Sequence, residues 1–167
     1  MRLSRIAISI ALLAATPAAA KPFPWGPRDK PPAVAGISLR DSEQHALDVL
    51  GPPDEATQTA AGEVLEYAAR GLEVTATPQG VSAIRLRTPD AGEIGGIRVG
   101  NPARDVILKW GVPRGGEGRT AIFGNGEWTI SVTLHEKYST VVELTLASAG
   151  APKPPPPQSD LNVFKTR

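Results

Sequence analysis

Two stretches sixty residues apart carry the same order of apolar and polar positions. Gly36-Ile37-Ser38-Leu39 leads through Ala46, Leu47 and Leu50 to Gly51-Pro52-Pro53. Gly96-Ile97-Arg98-Val99 leads through Val106, Ile107 and Trp110 to Gly111-Val112-Pro113. In both, the apolar spacing marks one face of a short helix, and a glycine with proline close behind stops it. Asp41 is the expected cap of the first helix, with Gln44 completing a capping box. In the second, Asn101 is the expected cap and Pro102 the first helical residue, where its missing N–H costs nothing.

Strand patterns follow each helix. Leu65 to Ala69 is a short candidate. Leu72, Val74 and Ala76 alternate with Glu73, Thr75 and Thr77, and Val81 to Arg87 follows the turn at Pro78-Gln79-Gly80. Downstream, Thr120 to Phe123 meets Gly124-Asn125-Gly126, a hairpin signal because Asn-Gly tolerates positive φ. Trp128, Ile130, Val132 and Leu134 then alternate with Thr129, Ser131 and Thr133, and Thr140 to Ala147 closes the series. The expected fold class is α+β: two tandem helix-plus-three-strand antiparallel meander units, residues 36–88 and 96–147. Pro89 to Gly95 joins them. A lone unit of about 50 residues buries too little surface to be comfortable without staples, so the two are expected to share one core.

The flanks differ in character. Residues 1–20 begin with Arg2 and Arg5, run apolar from Ile6 to Ala15 and end in Ala18-Ala19-Ala20, the pattern of a secretory signal peptide. Residues 21–35 form a proline-rich leader whose sizeable apolar groups are Phe23 and Trp25. Residues 150–167 form a proline-rich tail in which Ala151 to Pro157 make a stiff spacer. A periplasmic or secreted location is expected, with no membrane span after signal removal.

The 167-residue chain has 18 Lys and Arg against 17 Asp and Glu, net +1. Without Arg2 and Arg5 the balance is 16 against 17, or −1, which gives no electrostatic case for nucleic acid. No cysteine is present. That excludes disulfide staples, thiol catalysis, thiolate metal sites and lipid attachment through an N-terminal cysteine.

The paired motifs resemble the BamE/SmpA-like family, small outer-membrane lipoproteins of the β-barrel assembly machinery. They are also similar to the tandem units of the secreted β-lactamase inhibitor protein. The matching residues are Gly36-Ile37-x-Leu39, Ala46…Leu50-Gly51-x-Pro53 and Tyr67, then Gly96-Ile97-x-Val99, Val106…Trp110-Gly111-x-Pro113 and Phe123. The resemblance implies a fold used to hold other macromolecules rather than to catalyse.

Candidate chemistry is sparse. His135-Glu136 begins a zinc-protease motif, but Ser139 stands where its second histidine belongs. His45 lies near Asp41 and Asp48 on a polar helix side, so a metal would need partners from elsewhere. No Gly-x-Ser-x-Gly elbow occurs, and no Ser-x-x-Lys pair sits at a helix start. Gly115 to Arg119 has the glycines of a phosphate loop, yet a strand follows it and no lysine does. It reads as a flexible connection. Trp110 and Trp128 fall on apolar faces and are expected in the core, whereas Tyr138 falls in a turn. No cofactor and no metal are expected.

The strand faces opposite the core carry Glu73, Thr75, Arg85, Arg87, Thr129, Ser131, Thr133, Glu143 and Thr145. If the two units form one sheet, these residues make a polar platform. Arg85, Arg87, Thr129, Ser131, Thr133 and Tyr138 are the candidate binding residues. The leading expectation is an exported, non-catalytic protein-binding or scaffold module of the cell envelope. Its partner would be an envelope or extracellular protein. A secreted enzyme inhibitor that inserts the Tyr138 turn is one alternative. A hydrolase using carboxylates from both units is the other.

Overall fold

The computed structural model describes residues 29–137 and 139–151. The expected signal peptide, most of the leader, Tyr138 and nearly all of the tail lie outside them. Two helices, α1 (Glu43–Leu50) and α2 (Ala103–Trp110), are each followed by four strands. These are β1 (Glu55–Thr59), β2 (Gly62–Tyr67), β3 (Leu72–Thr77), β4 (Gly80–Leu86), β5 (Gly115–Glu117), β6 (Thr120–Gly124), β7 (Trp128–Leu134) and β8 (Val141–Ser148). All eight join one antiparallel sheet in the order β1-β2-β3-β4-β8-β7-β6-β5.

This corrects the expected fold class. Among the described residues the molecule is mainly one open eight-stranded sheet with two short helices, not a pair of helix-plus-three-strand units. β1 and β5 account for the difference. Every residue of both is exposed, so neither has the apolar alternation that marks a half-buried strand. β5 also runs through Gly115-Gly116, which reads as a loop in sequence but pairs with β6 as a sheet edge.

Local pairings recur at the sixty-residue offset. Val34 bridges Ile37, and Ile94 bridges Ile97. Arg40 N–H donates to Val81 O and Val81 N–H to Asp41 O, while Gly100 N–H donates to Val141 O and Val141 N–H to Asn101 O. These bonds tie the turn before each helix to the sheet. They also shift the helix starts by one residue. Asp41 Oδ2 accepts from Ser38 N–H and Asn101 Oδ1 from Arg98 N–H, so both side chains serve the turn and not the helix. Ser42 caps α1, accepting from His45 N–H at 3.1 Å, and Pro102 precedes α2 without a side-chain cap. Gln44 bonds Asp48 instead of closing a capping box.

One apolar layer lies between the sheet and the helices. Ala46, Leu50, Val106 and Trp110 pack onto a cluster that includes Val74, Ile84, Leu86, Ile130, Leu144 and Leu146. Trp110 meets the Phe123 ring edge-on at 5.3 Å between centroids, an arrangement worth about 1 kcal/mol beyond burial. Trp110 and Trp128 both lie in this core. Ile107 does not: it is 54 % exposed, because each eight-residue helix buries only its i and i+4 positions. Among the described residues no helix is long and apolar enough to cross a membrane.

Tyr67 locks the end of α1 to the sheet, its buried hydroxyl donating to Gly51 O at 3.1 Å. Burial pushes its pKa above the ordinary value, partly countered by the Arg70 charge. The folded state therefore holds the phenol proton more tightly than the unfolded chain does. Stability from this group is complete below about pH 10 and declines as pH rises through the raised folded value. Tyr67→Phe should cost about 1 kcal/mol near neutrality. It should also remove part of the alkaline loss, as urea titrations at pH 7 and pH 11 would show.

Candidate partner-binding face

Strand register places the candidate residues on the sheet face opposite the core. Arg85 lies across from Glu73 on β3 and from Thr145 on β8, and Thr145 lies across from Ser131 on β7. Thr133 faces Glu143, and Thr129 faces Ala147. Arg87, just beyond β4, reaches the same region. Thr129, Ser131 and Thr133 are half-buried. Tyr138 lies outside the described residues.

Arg85 is not a surface contact. It is 3 % exposed and sits at the seam where β4 meets β8. Its Nη1 lies 3.2 Å from Glu73 Oε1, and its Nε lies 3.9 Å from Glu143 Oε1. Arg87 Nη2 is 2.8 Å from Glu73 Oε2, and its Nε is 3.9 Å from Glu143 Oε2. Two guanidiniums and two carboxylates, three from the first half and Glu143 from the second, thus form a closed group of four charges. Arg85 Nε is buried without a hydrogen bond, so the group is not fully satisfied. Carboxylates from the two halves do converge here, as a shared hydrolytic site would need. Each is engaged by both arginines.

Sequence reasoning missed the outer part of this face. Glu55 on β1 lies across from Glu66 on β2, which lies across from Glu73 on β3. Three like charges directly opposite one another are unfavourable. Arg85 and Arg87 relieve the inner end of this row, while its outer end at Glu55 is exposed. Detecting the row required recognising β1 as a strand. His45 and His135 belong to opposite halves and do not meet: His45 lies 3.7 Å from Asp41, and His135 Nδ1 accepts from Lys137 N–H. Among the described residues no group of three His, Asp or Glu is arranged to hold a metal ion.

No family model and no curated protein matches this chain. Solved structures do. A cysteine-rich secretory protein from Staphylococcus aureus superposes with a TM-score of 0.59 at 9 % identity, over 71 % of this chain and 47 % of that one. Two others fit less well. An extracellular protein containing an SCP domain from Bacillus anthracis has a TM-score of 0.46 at 10 % identity, over 66 % of this chain and 44 % of that one. A DUF4309 family protein from Bacillus subtilis has a TM-score of 0.47 at 9 % identity, over 68 % and 82 %. The chain spans about half the length of the first two. At such identity the first likeness concerns the fold alone, and the other two carry no argument.

Because the four charges balance across the seam, removing one leaves the other three unbalanced. Arg85→Leu is expected to lower stability by about 3 kcal/mol in urea denaturation. Adding Glu73→Gln should return roughly 1 kcal/mol, since Glu73 and Glu143 otherwise share Arg87 alone and one negative charge goes uncompensated.

Proposed function

We propose that this chain is a non-catalytic, partner-binding module of an exported protein. It takes an extended segment of an envelope or extracellular protein along the β1 edge of its sheet. The observation that carries this reading is the asymmetry of the two edges. β1 is five residues long and exposed throughout, is paired on one side only, and contains no proline or lysine to discourage pairing. β5, the other edge, has three residues, two of them glycine. A long unguarded edge is a template for strand addition, in which backbone hydrogen bonds give affinity and alternate side chains give selectivity.

The face beside that edge supports a selectivity rule. A residue entering opposite Glu55 extends the row Glu55, Glu66, Glu73, so a lysine or arginine there is favoured and an acidic residue disfavoured. Thr129, Ser131 and Thr133 form the far part of the same face and offer hydroxyls to the partner. Export rests on the signal-like pattern of residues 1–20, and placement as periplasmic or secreted follows from it. The likeness to BamE/SmpA-like modules rests on the paired glycine and proline motifs.

Photo-crosslinking in the native envelope tests the reading, with probes at Thr57 on β1 and at Thr129. A dominant protein adduct from Thr57 is expected, diminished about fivefold by Glu55→Lys. An adduct from Thr129 alone would move the site to the far face. Silence from both probes would refute strand addition.

A further inference from the structure

Beside Trp128, at the end of the sheet where β8 finishes, lies a cleft of about 380 Å³, within the size range of small-ligand pockets. Its walls include Pro31, Leu39 and Trp128, and its polar groups include Ser38, Arg40 and Asp41. The cleft already borders a proline-flanked segment. The Trp128 indole N–H donates to Asp29 O at 3.1 Å, and Asn125 Nδ2 lies 3.5 Å from the same carbonyl. Asp29 is followed by Lys30-Pro31-Pro32. An aromatic N–H set on the carbonyl of an extended proline-rich segment is how grooves grip polyproline helices.

Arg40 is the second observation. It adopts φ 71°, a region that costs a side-chain-bearing residue about 1 kcal/mol or more. The turn demands this backbone, since Gly100 has φ 93° at the matching place sixty residues on. Gly100 fills the position without strain and is the residue the turn favours. The first half has an arginine there instead, exposed and lining the cleft. Among the described residues its side chain has no hydrogen bond or ion pair. A strained, unengaged arginine at the mouth of a cleft is accounted for by a ligand that it contacts.

We infer that this cleft receives the chain's own C-terminal proline tract, Pro154 to Pro157. Placement favours that occupant. Ser148 lines the cleft, and the chain then turns, with Ala149 N–H on Glu127 O, Ala151 N–H on Ser148 O and Gly150 at φ 84°. Pro154 follows three residues after Ala151, so the tract is tethered at the cleft's edge and its local concentration is on the order of millimolar. From Ala151 to Pro157 an extended tract spans roughly 20 Å. Its chemistry fits as well. A proline run has carbonyl acceptors and no N–H donors. The cleft offers the Arg40 guanidinium, the Lys30 ammonium and the Ser38 hydroxyl, beside Pro31 and the nearly buried edges of Leu39 and Trp128. Docking would bring the leader and the tail together at one end of the sheet, away from the β1 edge.

The chain has no cysteine, so Gln158→Cys gives a single attachment point for a nitroxide in the full mature protein. Paramagnetic broadening should concentrate on the Trp128 indole N–H and the amides of Leu39, Arg40 and Asp41. Changing Pro154, Pro155, Pro156 and Pro157 to serine, or Arg40→Gly, should each weaken it roughly fivefold, the effect of about one net hydrogen bond. Arg40→Gly should leave the melting temperature unchanged or raise it, which separates loss of docking from loss of fold. Equal broadening in all three proteins would show a merely tethered tail and overturn the proposal. So would broadening that arises only between labelled and unlabelled copies, because the occupant would then be a second molecule's tail.

Discussion

Everything in this molecule depends on the pairing of β4 with β8. Each half contributes one short helix and four strands, too little apolar surface to stand comfortably alone. Antiparallel pairing of Ala83, Ile84, Arg85 and Leu86 with Ala147, Leu146, Thr145 and Leu144 merges them. On one side of this seam Ile84, Leu86, Leu144 and Leu146 complete a common core. On the other, Arg85 and Arg87 draw Glu73 and Glu143 together. The seam also decides which strands become edges. Joining the halves through their last strands leaves β1 and β5 at the two ends.

The division of labour across the sheet follows from that geometry. β4 is buried on both faces, so its polar residue Arg85 braces the seam and is not open to a partner. Exposure rises outward, and with it the capacity to engage something else. The β1 edge has unpaired backbone and an uncompensated glutamate. The Trp128 cleft has an arginine in a backbone conformation that its counterpart, Gly100, adopts without strain. In both places the chain departs from what stability alone would choose, and such departures gather where a surface has a task.

Much of the fold was legible in the sequence, for identifiable reasons. β3 and β7 alternate apolar and polar residues because one face is in the core, and that alternation marks both over their full lengths. The helices were legible from Gly51 and Gly111, which end them where the sequence indicates. Their caps lie one residue beyond Asp41 and Asn101 because those side chains are engaged by the preceding turn, a competition that residue type does not reveal. β1 and β5 were invisible since an edge strand with no buried face leaves no periodic trace. Missing β1 hid the glutamate row. The candidate face was legible as a set of polar alternates, but its middle is closed by ion pairing between the two halves, and no single strand encodes that. The cleft joins residues from the leader, the first turn and β7, so only the folded arrangement shows it.

The most direct test of the seam is native-state hydrogen exchange in the protein and in Leu146→Ala. Amides of β3 in the first half and β7 in the second should open with the same free energy. The substitution should lower both together, by about 3 kcal/mol for a large-to-small change in a packed core. If β7 loses protection while β3 keeps its own, the halves are independent, and the β4–β8 pairing is a contact between two folds, not the foundation of one.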